Sequence, residues 1–237
     1  MADITLEQGL AALGLSLSEA QCAQLRDYLA LVQKWNRVYN LTAVRNPQDM
    51  LTHHLLDSLA VVLPLRRHLA QRAGAPAAEH AQSHVENRPG PASQPARPRL
   101  LDVGSGAGLP GVVLAICCPE LEVVCVDTVA KKAAFIQQAA LSLKLPNLRG
   151  LHARVETLTE PFDVVCSRAF ASLQDFTHWS HQALAQGGVW LAMKGKYPAD
   201  ELEGLQADVF HVEHLQVPGL NAERCLLWLK PKQVQAI

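Results

Sequence analysis

The sequence predicts a doubly wound α/β fold, in which helices cover both faces of a mainly parallel sheet. From residue 99 onward, apolar runs of strand length alternate with helical patterns, which is typical of strands joined by crossover helices. The first run leads into alternating glycines (LLDVGSGAGLPG, 100–111), and the second ends in an acid (LEVVCVD, 121–127). The loop after the sixth run (217–223) is too short for a crossover helix, so the last two strands must be antiparallel.

The predicted elements follow in order along the core. Seven strands are predicted at 99–104, 121–127, 148–153, 162–168, 188–194, 209–217 and 224–230. Helices are predicted near 110–117, 130–144, 172–185 and 198–207. Seven strands with a reversed terminal strand outline the class I S-adenosylmethionine-dependent methyltransferase fold, which is Rossmann-like. A dinucleotide-binding sheet more usually stays parallel throughout.

Two segments precede this core. Residues 1–71 predict an N-terminal helical cap, with a capping box at Ser18–Gln21 and a second helical run at 48–67. Residues 72–98 hold five of the fourteen prolines and few large apolar groups. Such a composition does not offset its ordering entropy, so we expect a flexible Pro/Ala-rich insert. Residues 99–237 then form the predicted donor-binding core.

Composition narrows the class of protein. The 237 residues are 49% hydrophobic with a net charge of −1, so one good core is expected and any nucleic-acid surface must be a local patch. The six cysteines form no C-x-x-C pair, which indicates buried reduced thiols and neither disulfides nor zinc. No histidine cluster completes a metal site. The sequence shows no signal peptide or apolar run of membrane length, so we expect a cytoplasmic protein that contacts no membrane. No repeated apolar surface demands an oligomer, so a monomer is expected.

The glycine run predicts the cofactor. Gly104, Gly106 and Gly108 let a ligand approach the backbone before the next helix, and Asp127 lies where a carboxylate takes the hydroxyls of a ribose. Asp102, two residues before the first glycine, suits a ligand with an ammonium group and repels a pyrophosphate. S-adenosylmethionine is therefore favoured over a dinucleotide. One alternative is a dinucleotide site, since Gly106, Gly108 and Gly111 match the G-x-G-x-x-G pattern for NAD or FAD. The other is a glycine turn that only packs a helix on a strand.

Five segments in one order resemble the ribosomal RNA small subunit methyltransferase G family, also called glucose-inhibited division protein B. The segments are WNRVYNLT (35–42), HLLDS (54–58), DVGSGAGLPG (102–111), SRA (167–169) and MKG (193–195). The resemblance spans about residues 6–231, and the stretch 72–98 departs from it. It implies a 16S rRNA (guanine-N7)-methyltransferase that uses S-adenosylmethionine and modifies guanine 527 of the 530 loop, within the small subunit or an assembly intermediate.

The resemblance also implies donor-binding residues. Matched position by position, they are Gly104, Leu109, Val155, Glu156 and Arg168. Val155 and Glu156 follow a strand, where an adenine ring would meet an apolar side chain and a carboxylate. From the sequence alone, Glu156 is equally well a solvated acid.

Arg168 ends an apolar strand beside the predicted switch point. A guanidinium there would pair with the donor carboxylate or with an RNA phosphate, and the alternative is a structural ion pair. Further positioning candidates on the substrate side are Asn40, His54, Asp57 and Lys194. Trp35 and Tyr39 would stack on a base or pack in the core.

The implied chemistry needs few side chains. Guanine N7 has an unprotonated lone pair at neutral pH, so we expect no catalytic base, and Cys166 is read as core rather than as a nucleophile. Rate is expected to come from positioning and desolvation. Two other functions stay open. One is a donor-binding regulatory or assembly protein without turnover, and the other is a small-molecule or protein methyltransferase.

Overall fold

A seven-stranded sheet forms the centre of the molecule. The computed structural model describes residues 4–74, 97–168, 170 and 172–232. The strands are β1 (Arg99–Val103), β2 (Glu122–Asp127), β3 (Leu148–His152), β4 (Phe162–Arg168), β5 (Leu184–Lys194), β6 (Ala207–Leu215) and β7 (Arg224–Pro231). They lie in the order β3-β2-β1-β4-β5-β7-β6. β7 pairs antiparallel with both β5 and β6, whereas the pairs among β1 to β5 are parallel. The predicted doubly wound fold is confirmed, including its reversed last strand.

The chain reverses direction between β1 and β4. β2 and β3 follow β1 in turn toward one edge of the sheet, and β4 then pairs with the other side of β1. The carboxyl ends of β1 and β4 therefore face a crevice, which is where open α/β sheets bind ligands. Backbone hydrogen bonds from Gly104 and Ser105 to the Val126 carbonyl (2.9 and 3.3 Å) fix the turn that follows β1.

Helices cover both faces. They are α1 (Leu6–Ala12), α2 (Glu19–Tyr39), α3 (Pro47–Met50), a π-helix (Leu51–Leu56), α4 (Asp57–Leu59), α5 (Val62–Gly74), α6 (Gly111–Cys117), α7 (Ala130–Ser142), α8 (Leu173–Trp179) and α9 (Ala199–Leu202). Buried apolar residues of the N-terminal helices, α6 and α7 share one core with one side of the sheet, and α8 packs into a second core on the other side. Tyr28 of α2 donates to the Ala107 carbonyl at 2.7 Å, so a cap helix directly contacts the glycine turn.

The N-terminal region differs from prediction in three places. The short helix α1, opened by a capping box between Thr5 and Gln8, was not predicted. The run predicted as one helix at 48–67 is interrupted by the π-helix and by a break before α5. α5 continues to Gly74, and Arg72 pairs with Asp163 of β4 and donates to the Gly187 carbonyl. Residue 72 therefore belongs to the helix, not to the insert.

Further boundaries need correction. The helix predicted near 198–207 is the short α9, which ends at Leu202, and β6 begins at Ala207, two residues earlier than expected. The helix predicted at 172–185 ends at Trp179, because a 3₁₀ turn (His181–Ala183) follows and β5 begins at Leu184, four residues earlier than expected. Most of the predicted insert, 75–96, lies outside the described residues, so its flexibility and the three-part domain division stay predictions. Within the described ranges, no helix has the length and apolarity needed to cross a membrane.

Candidate functional site

The glycine turn and the end of β2 hold one another through Asp127. This side chain is almost completely buried, and its Oδ2 accepts the backbone N–H of Gly106 at 3.0 Å while Oδ1 accepts that of Val129 at 2.8 Å. Gly104, Gly106 and Gly108 all have positive φ angles (66°, 60° and 87°), which explains why glycine occupies this turn. Asp127 therefore shapes the turn and still has unused lone pairs for a ligand.

A cavity of about 330 Å³ opens over this turn, and we call it the turn cavity. Its lining includes apolar groups, which suit a flat ring, and carboxylates, which suit hydroxyl groups. Among the lining residues are Gly104, Asp127, Val155, Glu156, Phe170 and Trp179. Phe170 and Trp179 meet edge to face with centroids 5.6 Å apart, which gives one rigid aromatic wall. A hydrogen bond from its own backbone N–H, and then the pair with Arg154 at 2.9 Å, hold the pKa of Glu156 below its usual value.

A second cavity of about 360 Å³ lies at the ends of β4, β5 and β7, and we call it the arginine cavity. Its lining is His53, His54, Asp57, Arg168, Met193, Lys194, Gly195 and Arg224. Asp57, whose side chain is 5% exposed, accepts from Arg168 Nη1 at 3.1 Å and from Arg224 Nε at 2.8 Å. Arg168 Nη1 also donates to the His53 carbonyl at 2.8 Å. One carboxylate thus holds two guanidinium groups.

Lys194 and His54, which also line this cavity, are fixed by neighbours. Lys194 Nζ contacts both carboxylate oxygens of Glu201 at 2.9 Å. His54 Nε2 is hydrogen-bonded to Thr42 Oγ1 at 2.7 Å, and His54 Nδ1 has no partner in the described part of the chain. Burial, together with the nearby charge of Arg168, lowers the pKa of His54 to about 4, so this ring is neutral at pH 7.

Asp102 is buried on the face of the sheet that carries Leu100. It is 0% exposed, and it accepts the backbone N–H of Gly111 at 2.8 Å. Burial raises the pKa of Asp102 to about 7. Strand alternation places its side chain on the opposite face from Val103, which lines the turn cavity, and the expected contact with the ligand ammonium stays a prediction.

The remaining predicted residues separate into distinct groups. Gly104, Asp127, Val155 and Glu156 meet in the turn cavity, and His54, Asp57, Arg168 and Lys194 meet in the arginine cavity. Arg168 is therefore not beside Glu156, and its implied donor contact stays a prediction. Gly106, Gly108 and Leu109 form the turn without lining either cavity.

Three other residues predicted on the helical cap, Asn40, Trp35 and Tyr39, lie outside both cavities. Asn40 ends α2 in the left-handed conformation (φ 49°) and accepts from Arg45 at 3.2 Å. Trp35 stacks on Tyr39 and also meets Phe135 of the core edge to face at 5.6 Å. Cys166 is completely buried and burial raises its thiol pKa, in agreement with the core reading.

Sequence reasoning missed Arg224, Phe170 and Trp179. Arg224 starts β7, and because β7 is antiparallel, its start lies at the same edge as the carboxyl end of β5. The predicted reversal of the last strand was the signal from which this position of Arg224 could have been inferred. Phe170 precedes α8 and Trp179 is its last residue, and pattern alone assigns such aromatic residues to the core.

The turn cavity fits S-adenosylmethionine. Its aromatic wall and Val155 suit adenine, and Asp127 suits a ribose diol. A glycine turn after β1, an acid ending β2 and a reversed β7 together define a class I methyltransferase. Within the described residues, no group of three or more His, Cys, Asp or Glu is placed to hold a metal ion.

Comparison with known proteins specifies the family. The sequence model described as rRNA small subunit methyltransferase G matches residues 21–71 and 88–227, and the chain belongs to this family. The interruption falls within the stretch 72–98. The ribosomal RNA small subunit methyltransferase G of Acidovorax sp. strain JS42 is 69% identical over 95% of this chain and 94% of its own. That of Paracidovorax citrulli is 64% identical over 96% and 89%.

The family confirms the predicted enzyme class and methyl donor. The protein is a methyltransferase, and its donor is S-adenosylmethionine. A solved structure, TrmN from Thermus thermophilus, is similar at 18% identity over 57% of this chain and 44% of that chain, with a TM-score of 0.46. The assignment does not rest on that weaker likeness.

Proposed function

We propose that this protein transfers the methyl group of S-adenosylmethionine to N7 of a guanine in small-subunit ribosomal RNA. The observation that carries the proposal is the pair of neighbouring cavities. One is an aromatic and carboxylate pocket beside a glycine turn, and the other is lined by three cationic side chains. Family membership and the names of the relatives favour ribosomal RNA as the substrate.

The turn cavity is assigned to the adenosine half of the donor. In this assignment, Asp127 accepts the ribose hydroxyls, while Val155 and the Phe170–Trp179 wall contact the adenine ring. The donor supplies an electrophilic methyl on a sulfonium. Arg168, at the end of β4 next to β1, lies on the side of the turn where the rest of the donor extends.

The arginine cavity is assigned to the acceptor side. Cationic groups there suit an RNA backbone, and a neutral His54 leaves the guanine lone pair unprotonated. No base is required, because N7 is already nucleophilic. The chain's contribution is to align N7 with the methyl group and to exclude water from a cation that loses its charge.

The test is labelled methyl transfer from S-adenosylmethionine to deproteinised small-subunit RNA and to purified small subunits, followed by mapping of N7-methylguanine. We expect one labelled guanine. Asp127→Asn is the donor-deficient control, which should lose transfer while RNA binding is kept. Donor binding without transfer would instead indicate a regulatory or assembly protein, and transfer only to small molecules or proteins would exclude RNA.

The proposal extends to cellular context. A near-neutral chain is poorly suited to hold free RNA by bulk charge, which favours a preformed RNA–protein surface as the substrate. We accordingly propose a monomeric enzyme that meets the small subunit or an assembly intermediate in the cytoplasm.

A further inference from the structure

Arg224 has hydrogen-bonding capacity that the protein leaves unused. Its Nε donates to Asp57 Oδ1 at 2.8 Å and its Nη1 to the Glu223 carbonyl at 2.8 Å. In the described part of the chain, Nη2 has no protein acceptor. The Arg224 side chain is 22% exposed, so this group is reachable from the cavity that it lines.

The charge around Asp57 is also unbalanced. Arg168 and Arg224 share its single carboxylate, whereas Lys194 has Glu201 as a partner of its own. Two guanidinium groups on one nearly buried carboxylate leave an excess positive charge. Such a charge is stabilised by an anion bound at the cavity.

The position of Arg224 separates it from the donor. Along the sheet, β4 neighbours β1, while β7 lies two strands beyond β4. With a strand spacing of about 4.8 Å, the backbone at Arg224 lies about 10 Å farther along the sheet from the glycine turn than the backbone at Arg168, although both guanidinium groups reach Asp57. Arg224 therefore approaches the shared carboxylate from the side away from the glycine turn, which is the acceptor side in the proposed function.

Arg224 also stands between two cavities. A larger cavity of about 830 Å³ runs along the β6–β7 loop and shares Gly195 and Arg224 with the arginine cavity. Tyr197 and His214 contribute to its lining, and Tyr197 is 47% exposed. A chain of nucleotides that passes from one cavity to the other would bring its backbone past Arg224.

We propose that Arg224, oriented by Asp57, binds a backbone phosphate of the RNA beside the target guanine. This rests on the proposed function, because it takes RNA as the acceptor. Arg224 is then a substrate-binding residue, Asp57 is a positioning residue, and the larger cavity receives the adjoining nucleotide.

The test compares Arg224→Gln with Arg67→Gln in binding to small-subunit RNA and purified small subunits over a series of salt concentrations. Arg67 is a matched control, since it is exposed and paired with Glu213 away from both cavities. For Arg224→Gln we expect about tenfold weaker RNA binding and a salt slope reduced by about 1. Calorimetry should show unchanged affinity for S-adenosylmethionine. The control should match the wild type.

Other outcomes overturn the proposal. Weaker donor binding with unchanged RNA binding would mean that the anion is the donor carboxylate, and a lower melting temperature alone would mean a structural ion pair. If Arg224→Gln does not fold, Arg224→Lys replaces it. The lysine variant should keep the salt slope and lose only part of the affinity, and a reduced slope would contradict a phosphate contact. Because binding is measured without transfer, a wild type that binds RNA but methylates nothing would refute the proposed function and not this contact.

Discussion

Asp57 connects parts of the chain that are far apart in sequence. It lies 111 residues from Arg168 and 167 residues from Arg224, yet it bonds to both. Removing one partner of a nearly buried ion pair leaves a costly unpaired charge, so these three side chains must be considered together. Arg168 is the member on the strand beside β1 and its glycine turn.

Arg168→Ala should reduce methyl transfer at least tenfold, about 1.4 kcal/mol of transition-state stabilisation. In the proposed function the guanidinium lies between the donor and the acceptor, and Arg168→Lys should rescue only part of the rate because an ammonium lacks the planar fork. Initial rates with labelled donor measure this, with Arg149→Ala, an exposed arginine paired with Glu160, as control. Full activity with lower stability would make Arg168 a structural ion pair, and a fully active lysine variant would indicate diffuse electrostatics.

Asp102 should make stability depend on pH. Burial raises its pKa from 3.8 to about 7 in the folded state, so the unfolded state ionises first as pH rises. This group therefore lowers the free energy of unfolding progressively between pH 4 and 7, with no further change above. Relative to wild type, Asp102→Asn should gain stability across this window, as urea unfolding at several pH values would show.

His54 should make the free energy of unfolding rise with pH, which is the opposite of the effect of Asp102, and the same experiment measures it. Its pKa falls from 6.5 to about 4 on folding, so it stabilises the fold above pH 6.5, and this contribution is lost as pH falls toward 4. His54→Gln should reduce the dependence of the free energy of unfolding on pH only in the acid range, between pH 4 and 6.5. Parallel curves for wild type and either variant would contradict the corresponding assignment.

At the scale of elements, Gly111, the first residue of α6, and Gly106, in the turn before it, have different effects. A Cβ on Gly111 would lie 2.3 Å from Cys125 Sγ and 2.8 Å from Asp102 Oδ2, whereas one on Gly106 would meet open space, though at a φ of 60°. The first glycine permits close packing of α6 on the sheet. The second leaves room above the turn.

Gly111→Ala should therefore lower the free energy of unfolding by about 1–3 kcal/mol through overpacking. Gly106→Ala should cost about 1 kcal/mol in backbone strain and reduce donor affinity more than tenfold, because a strained turn would no longer hold Asp127, whose Oδ2 accepts the Gly106 N–H. Urea unfolding and calorimetry with S-adenosylmethionine separate the two effects. A Gly106→Ala protein with normal donor binding would show that donor binding does not depend on this link between the turn and Asp127.

Sequence predicted the strands well for a physical reason. β2 and β4 are buried apolar runs that end at polar residues, so composition marks their limits. The early start of β5 was missed because Leu184–Gly188 lacks strand-like alternation. The π-helix was missed because six residues do not separate its period from that of an α-helix.

The site was predictable only where it is local. The glycine turn and Asp127 follow one strand each, so their convergence follows from a parallel sheet. Alternation along β1 predicts that Asp102 and Val103 face opposite sides of the sheet, as the structure has them. The contact of Asp57 with Arg224 depends on tertiary packing between a cap helix and the last strand, which no local pattern encodes.

At the scale of the whole molecule, the stretch between α5 and β1 should be dispensable. Replacing residues 75–96 with a Gly/Ser linker of about ten residues should leave melting temperature and methyl transfer nearly unchanged, since the deleted composition supplies little apolar surface. Arg72 must be kept, and Arg72→Ala is the control expected to lose stability, because it breaks the pair with Asp163. Lost transfer at unchanged stability would instead make the stretch part of the RNA contact.

The position of β7 has a consequence for vectorial synthesis. The chain emerges from the ribosome with its N-terminal end first, but β7 lies between β5 and β6, which are both made earlier. A nascent chain can wind β1 to β5 and form its glycine turn while the gap beside β5 is still open. Only when Arg224 is delivered does Asp57 gain its second partner, so the arginine cavity is completed last.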